Sequence, residues 1–413
     1  MRKVITFLGV RPLKTLYRFQ GKEIEAEVFA EVLCKSMDFD QMLVCTTAEA
    51  RDKCWPVLEK QQDKRITDIN IPLGKTSAEM WNIFDAILPY VEPGDRVVFD
   101  ITHGLRSLPF LVFLFAAYLK TARQVVIEAI YYGALELRST QPDGAAPVID
   151  LSEFVEMLDW LTATDQFVRT GDGRWLAEML EKKGVKEKAI GETADSLRAV
   201  SNAALMCQPQ LLMKTSKTLE HNLRKTAAVI LSEVPPFELL RKRITTHFGR
   251  FRGGDEAREQ LCAQYQLIQW YYETGQLIQA VTLAREWLIN AVTWRLELPI
   301  DLSPGQRQLM ERAVSGVAKV GQKTTDRESG QKYIFSPDDL NTYGRKIFLE
   351  MPEKETIKLL WNTIYPLRNA MDHAGHQDSV MSLSKMEFKA IEIKNGLAEL
   401  AHKWGLELEN ENL

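Results

Sequence analysis

The side chains with the plainest chemical potential are Arg368 and His373, set in Tyr365-Pro366-Leu367-Arg368-Asn369-Ala370-Met371-Asp372-His373-Ala374-Gly375-His376. Arginine keeps its charge at any physiological pH, and its forked donors match phosphate oxygens. Histidine gives or takes a proton near neutrality. A proton-transfer group beside a fixed cation is the minimal kit for metal-free RNA cleavage. The stretch reads as a short helix. Pro366 suits its first turn, where a missing N–H is no loss, and Gly375 suits its stop. A spacing of five residues sets the pair about 140° apart around such a helix, so they converge on one phosphate only through side-chain length. Arg-x4-His is a short pattern. It equally describes a surface arginine and a solvated histidine, so the rest of the chain has to decide.

The elements that position these groups must come from 413 residues, enough for two or three domains at roughly 100–200 residues each. A net charge of −4 gives no global attraction for nucleic acid, so any RNA contact must be local. The five cysteines (34, 45, 54, 207, 262) are odd in number, scattered, and form no C-x-x-C pair. That argues against a zinc site or a disulfide framework and for a reducing cytoplasm. Met1-Arg2-Lys3 runs straight into a strand-like segment, with no signal peptide expected. The most apolar stretch, Leu108 to Leu119, includes Pro109 and falls short of the about 20 residues a membrane span needs. It reads as a buried helix.

Over residues 1–150 apolar, β-rich runs alternate with helical patterns. Strands are expected at 4–8, 42–47, 69–73, 96–102 and 126–132, with helices at 23–37, from 48, at 77–90 and from 107. Such alternation implies a Rossmann-like α/β domain with a parallel sheet covered on both faces. Ligands bind such sheets beyond the carboxyl ends of the strands. The polar residues lie there: Gly9 and Arg11 after the first strand, Thr46 and Thr47 after the second, Lys75 after the third, and Thr102, His103, Gly104 and Arg106 after the fourth. The last group opens a helix, whose N–H groups can face an anion. Neither G-x-G-x-x-G nor G-x-x-x-x-G-K-[ST] occurs. Taken singly, these are also ordinary turn glycines and solvated polar residues; as a set they point to a phosphate-bearing ligand.

Asp100-Ile101-Thr102-His103-Gly104-Leu105-Arg106-Ser107-Leu108-Pro109 resembles the D-x-T-H-G-x-R-x-x-P signature of CRISPR-associated CARF domains of the Csx/Csm group. The opening strand into Gly9-Val10-Arg11 fits, as does Ile71-Pro72-Leu73-Gly74-Lys75 before a helix with Trp81. The resemblance implies a dimerising domain whose strand-end loops bind a cyclic oligoadenylate, tetra-adenylate ahead of hexa-adenylate. It implies ligand-binding roles for Gly9, Arg11, Thr46, Lys75, Thr102, His103, Gly104 and Arg106. Some relatives also slowly cleave the ring; nothing in this sequence decides that.

From Ser152 onward the pattern is helical. Residues 151–250 are expected to form a linker and dimerisation region, with a basic cluster (Arg241, Lys242, Arg243, Arg250, Arg252) that reads as a solvated face or an RNA-backbone contact. Residues 251–413 are expected to be all-helical: a hairpin of 256–272 and 276–294, a variable insertion at 301–352, a helix at 353–364, the Arg368 stretch, and a last helix at 384–406. This layout, with Arg368-Asn369 ahead of His373, resembles a HEPN ribonuclease domain. The joint resemblance implies a CARF–HEPN ribonuclease of type III systems, with catalytic Arg368, Asn369 and His373 and no metal or cofactor. RNA attack by its own 2′-OH would leave a 2′,3′-cyclic phosphate, at a composite site in a homodimer or higher even oligomer. His376 is an auxiliary or a plain surface residue. Glu286 either orients Arg368 or balances charge on its own helix. The competing classes are a CARF-type ligand-responsive transcription regulator and an adaptor without nuclease activity.

Overall fold

A computed structural model of the chain describes residues 1–104, 107–141, 143–183, 187–325, 331–372 and 381–407. Two compact units divide it, Met1–Asp159 and Trp160–Leu413. The first is a mixed α/β sheet domain and the second is helical.

The first unit is built on β1 (Arg2–Phe7), β2 (Thr15–Phe19), β3 (Lys22–Ala26), α1 (Phe29–Ser36), β4 (Gln41–Thr46), α2 (Ala48–Lys53), α3 (Trp55–Glu59), β5 (Ile66–Asn70), α4 (Ser77–Ile87), β6 (Arg96–Asp100), α5 (Leu108–Arg123), β7 (Val126–Gly133) and β8 (Ala146–Asp150). Among the described residues the sheet order is β3-β2-β8-β7-β6-β1-β4-β5. From β7 to β5 every pairing is parallel. Alternate residues of one strand feed two cores, as period-2 geometry requires. Ile5 and Phe7 join Leu43, Val97 and Phe99 against α4 and α5, while Val4 joins Met42, Val44 and Val98 against α1. With both faces apolar and covered, the polar side chains are left to the strand ends.

The far side of the sheet departs from the expected all-parallel pattern. β2 and β3 form an antiparallel hairpin, and β7 pairs antiparallel with β8. Its turn is Gln20-Gly21, with φ of 48° and 76°. Positive φ at both positions suits a two-residue hairpin. Residues 23–26 are therefore strand, and the helix expected over 23–37 covers only Phe29–Ser36. Gln-Gly is a weaker turn signal than Asn-Gly, and Ile24 and Ala26 mimic a helical start.

A helix α6 (Ser152–Thr170) carries the division between the units. The second unit continues with α7 (Arg174–Lys183), α8 (Lys188–Leu205), α9 (Pro209–Lys225), α10 (Ala227–Glu233), α11 (Pro235–Gly249), α12 (Ala257–Glu273), α13 (Leu277–Arg295), α14 (Pro304–Lys319), β9 (Lys323–Thr325), β10 (Lys332–Ile334), α15 (Thr342–Glu350), α16 (Lys354–Asp372) and α17 (Leu383–Trp404). α13 is buried nearly all round, and the Trp287 indole N–H donates to the Leu261 carbonyl at 2.9 Å, tying it to α12. The expected insertion at 301–352 is instead structural. Met310, Ala313, Val314 and Val317 of α14 and Ile347 of α15 lie in the main core.

α16 corrects a second expectation. Helix 353–364 and the Arg368 stretch are one helix, with Pro366 inside it rather than at its start. Pro366 supplies no N–H for the Asn362 carbonyl four residues back. The helix persists because its apolar stripe (Ile357, Leu360, Trp361, Ile364, Leu367) is buried. α17 crosses it closely at Gly396, where an added Cβ would stand 2.7 Å from Leu360 Cδ2 and 3.0 Å from its Cγ. Gly396→Val should force the two helices apart and lower the unfolding free energy by about 1–3 kcal/mol, read from denaturant midpoints.

Candidate functional site

The strand-end site starts from Asp100, the last residue of β6, which is fully buried. Its Oδ2 accepts from Thr6 Oγ1 at 2.5 Å, bridging to β1, and its Oδ1 accepts from the Thr102 N–H at 2.8 Å. Thr102 Oγ1 in turn accepts from the Gly133 N–H at 2.8 Å, which fixes the end of β7. Burial raises the Asp100 pKa above the carboxylate norm, opposed by nearby His103 and by these hydrogen bonds.

His103 is held from two sides. The Phe29 N–H donates to its Nε2 at 3.3 Å, and Tyr17 Oη lies 3.4 Å from the same atom. A nitrogen that accepts carries no proton, so the ring is neutral with its hydrogen on Nδ1. Burial lowers the His103 pKa in the same direction, with Asp100 pulling against it. The open side of Gly9 faces this ring: a Cβ there would come 3.5 Å from His103 Cβ and 3.9 Å from Nδ1. Gly104 has φ of +139°, and a Cβ on it would meet Leu108 Cδ1 at 2.6 Å.

A cavity of about 120 Å³ lies over these ends, lined by Gly9, Val10, Thr47, Pro72, Leu73 and Gly104 among others. The carboxyl ends of β1, β4, β5 and β6 thus meet at one place. The expected residues divide. Gly9 and Gly104 line the cavity, and His103 stands beside Gly9. Thr46 is buried and donates from Oγ1 to Asp68 Oδ1 at 2.5 Å, while its neighbour Thr47 lines the cavity and caps α2. Lys75 and Arg11 are exposed, and the Lys75 N–H donates to Glu79. Arg106 lies outside the described residues. Thr6 and Tyr17 escape sequence reasoning, because a buried strand threonine and a hairpin tyrosine carry no spacing signal toward their partners, Asp100 and His103.

In the helical unit Arg368 is half-buried on the last turns of α16, and Asn369 is likewise partly buried. Arg368 Nε stands 3.3 Å from Asp372 Oδ2, one turn on, without a well-aligned hydrogen bond. His373, Gly375 and His376 lie outside the described residues. Glu286 pairs with Arg285 on its own helix and with Arg307 on α14. That geometry favours charge balance over orientation of Arg368. The basic cluster is largely engaged: Arg241 with Glu238, Arg243 with Asp165, and Arg252 with Glu220.

Among the described residues no group of three His, Cys, Asp or Glu comes together as metal ligands, and no helix is long and apolar enough to cross a membrane. The cysteines are free thiols.

The family described as CRISPR-associated protein MJ1674, second domain, matches residues 156–256. CRISPR-associated protein MJ1674 of Methanocaldococcus jannaschii is 27% identical over 192 residues, 43% of this chain and 30% of the relative. The chain is similar to a CRISPR-associated protein. The match spans under a third of that relative's length. A solved structure, Enterococcus italicus Csm6 bound to cyclic hexa-2′-fluoro-hexa-dAMP, aligns with 99% of this chain and 96% of its own at a TM-score of 0.41 and 10% identity. That score is too low to establish a shared fold.

His103 should stay in the neutral, Nδ1-protonated form at pH 6.5, where a free histidine is half charged. Imidazole ¹⁵N shifts across a pH series would check it, and a titration at or above 6.5 would contradict it. Because the folded pKa is depressed, the unfolded state binds more protons below 6.5. The stability that His103 contributes is therefore full above that pH and falls as the pH drops through it.

Proposed function

We propose that the chain is a cyclic-oligoadenylate-activated, metal-independent endoribonuclease of type III CRISPR defence. Its substrate is single-stranded RNA, and its working form is a homodimer or higher even oligomer. The observation that carries this reading is the convergence of Gly9 with His103 and Gly104 of the D-x-T-H-G-x-R signature at one strand-end cavity. Similarity of residues 156–256 to a CRISPR-associated domain supports the biological setting.

The two glycines leave backbone exposed where a phosphate can approach, and the His103 Nδ1–H is a neutral donor beside Gly9. A cavity of about 120 Å³ holds a fragment the size of a phosphate, well short of a nucleotide ring. A ring would lie across the open strand-end surfaces of two symmetry-related copies, with a phosphate seated in each cavity. A contiguous apolar face favours such pairing. Phe110, Leu114 and Tyr118 follow one another at i, i+4, i+8 on α5 and are 71%, 47% and 49% exposed. Trp81 on α4, 65% exposed, joins the patch through Phe84. Patches of this kind mark association surfaces.

In the helical unit the RNA 2′-OH attacks the adjacent phosphorus. A P–O2′ bond forms and the P–O5′ bond breaks, leaving a 2′,3′-cyclic phosphate and a 5′-OH. His373 takes the 2′ proton or delivers one to the departing 5′ oxygen. Arg368 holds the phosphate and stabilises its growing charge, with Asn369 as positioning residue. One histidine cannot do both in a single step, so two copies of the motif share the site. Ring binding shifts the dimer toward the competent geometry by as much as it binds that state more tightly.

The test is cleavage of labelled single-stranded RNA with no ring, cyclic tetra-adenylate or cyclic hexa-adenylate. Cleavage should require a ring and fall at least a hundredfold in His373→Ala and Arg368→Ala. Ring-independent cutting, or full activity in His373→Ala, would overturn the reading; a DNA mobility shift without cutting would favour the regulator. Phe110→Glu should shift the mass measured by light scattering toward the monomer and abolish ring activation. An unchanged mass would remove α5 from the interface.

A further inference from the structure

A second cavity, in the helical unit, has a volume of about 700 Å³ and lies between α14 and α16. Its floor includes Tyr365 and Pro366, one turn before Arg368. Tyr365 is 50% exposed, and its ring is stacked on Trp361 with centroids 6.5 Å apart and an 18° tilt. Trp361 is 6% exposed and has the Arg285 guanidinium 5.4 Å from its centroid. Arg285 is itself fixed by Glu286 and Glu311. The tyrosine ring is therefore a rigid platform, backed by a buried column and open to solvent.

The charges around it are unbalanced. Glu311 is paired with Arg285, while Asp339 is held by the backbone N–H and hydroxyl of Ser336 and keeps its charge, so two cations of the lining face one uncompensated acid. Arg312 and Lys319 are exposed on the same lining and have no acidic partner among the described residues. Two amides complete it. Asn362 Nδ2 and Gln322 Nε2 both donate to the Ala318 carbonyl, at 3.3 Å and 2.8 Å. Each keeps its amide oxygen as an acceptor. An aromatic platform, free cations and base-edge acceptors are what single-stranded RNA recognition uses.

We propose that this cavity seats one nucleotide of a single-stranded RNA. Its base stacks on Tyr365, its flanking phosphate meets Arg312 and Lys319, and Asn362 and Gln322 select bases that carry an exocyclic amine. The proposal rests on the reading that the substrate is RNA, and adds a specificity subsite to it. Tyr365 precedes Arg368 by three residues, about 4.5 Å of helix rise on one side of α16. A base held there delivers the neighbouring phosphate within reach of an arginine.

The test uses the full chain and fluorescence anisotropy with labelled 2′-O-methyl RNA octamers, which lack the attacking hydroxyl and cannot be cut. Binding is then read whether or not the protein cleaves. Tyr365→Ala should weaken binding about tenfold, while Tyr365→Phe, which keeps the platform, should bind like wild type. Arg312→Gln with Lys319→Gln should weaken all sequences alike and reduce the log–log salt slope by about 1.4. Oligo-A and oligo-C should bind more tightly than oligo-U, and Asn362→Ala should narrow that gap.

The platform is overturned if Tyr365→Ala binds as wild type, or if wild type binds no RNA. Equal affinity for the three homopolymers overturns the amide readout. Wild-type-like binding by Tyr365→Phe excludes misfolding as the cause of a loss in Tyr365→Ala. Tyr365-dependent binding without ring-induced cutting would leave the subsite standing and remove the nuclease reading. Cutting that needs His373 but binding that ignores Tyr365 would do the reverse.

Discussion

A strand buried on both faces has no room for polar chemistry along its length. Val4, Ile5, Phe7, Val97, Val98 and Phe99 occupy both faces of the central strands and are essentially inaccessible. Polar groups are then confined to the edges and to the carboxyl ends. Two exceptions beside the cavity have assigned tasks: Thr6 and Asp100 bind each other across β1 and β6, and Thr46 binds Asp68 across β4 and β5. Each pair spans two strands next to the cavity, so the same bonds that satisfy buried polar atoms also set the positions of the loops that follow.

Asp100 and His103 are each satisfied by hydrogen bonds rather than by an ion pair with the other. A buried carboxylate and a half-buried imidazole three residues apart could form an ion pair. The hydrogen bonds favour another arrangement: Asp100 is served by Thr6 and Thr102, and His103 accepts from Phe29. Each group is satisfied without the other's charge. Desolvation then pushes the two pKa values toward each other, carboxylate up and imidazole down. An imidazole that stays neutral keeps one donor and one acceptor in fixed places, whereas a titrating one would lose its acceptor and with it the Phe29 contact.

The central strands and long helices were legible because their signals are local. Continuous β-branched runs give β1, β4, β6 and β7, and apolar spacing gives α12, α13 and α17 within a residue or two. The hairpin β2–β3 was not, because Gln20-Gly21 is an uncommon turn pair and the strands are short and half-exposed. Pro366 was misread for the converse reason. Local propensity ends a helix there, and burial of Leu360, Ile364 and Leu367 overrides it. In the site, glycines and polar strand ends were readable from type and position. Tyr17 and Thr6 were not, since their relevance comes from pairings 86 and 94 residues away in sequence, Tyr17 with His103 and Thr6 with Asp100.

Arg368 sits where electrostatics would otherwise oppose a phosphate. The carboxyl end of a helix carries partial negative charge, and Asp372 adds a full one on the last turn of α16. Without Arg368 that end would repel an anion. With it, the turn is neutralised internally by an i,i+4 pair whose side chains are 34% and 39% exposed. Such pairs contribute only about 0.3–0.5 kcal/mol, and the 3.3 Å contact here is poorly aligned. A hydrogen bond from the guanidinium to a phosphate is worth about 1.5–3 kcal/mol. The comparison shows how weakly Asp372 holds the guanidinium: an anion that reached Arg368 would displace it at little cost.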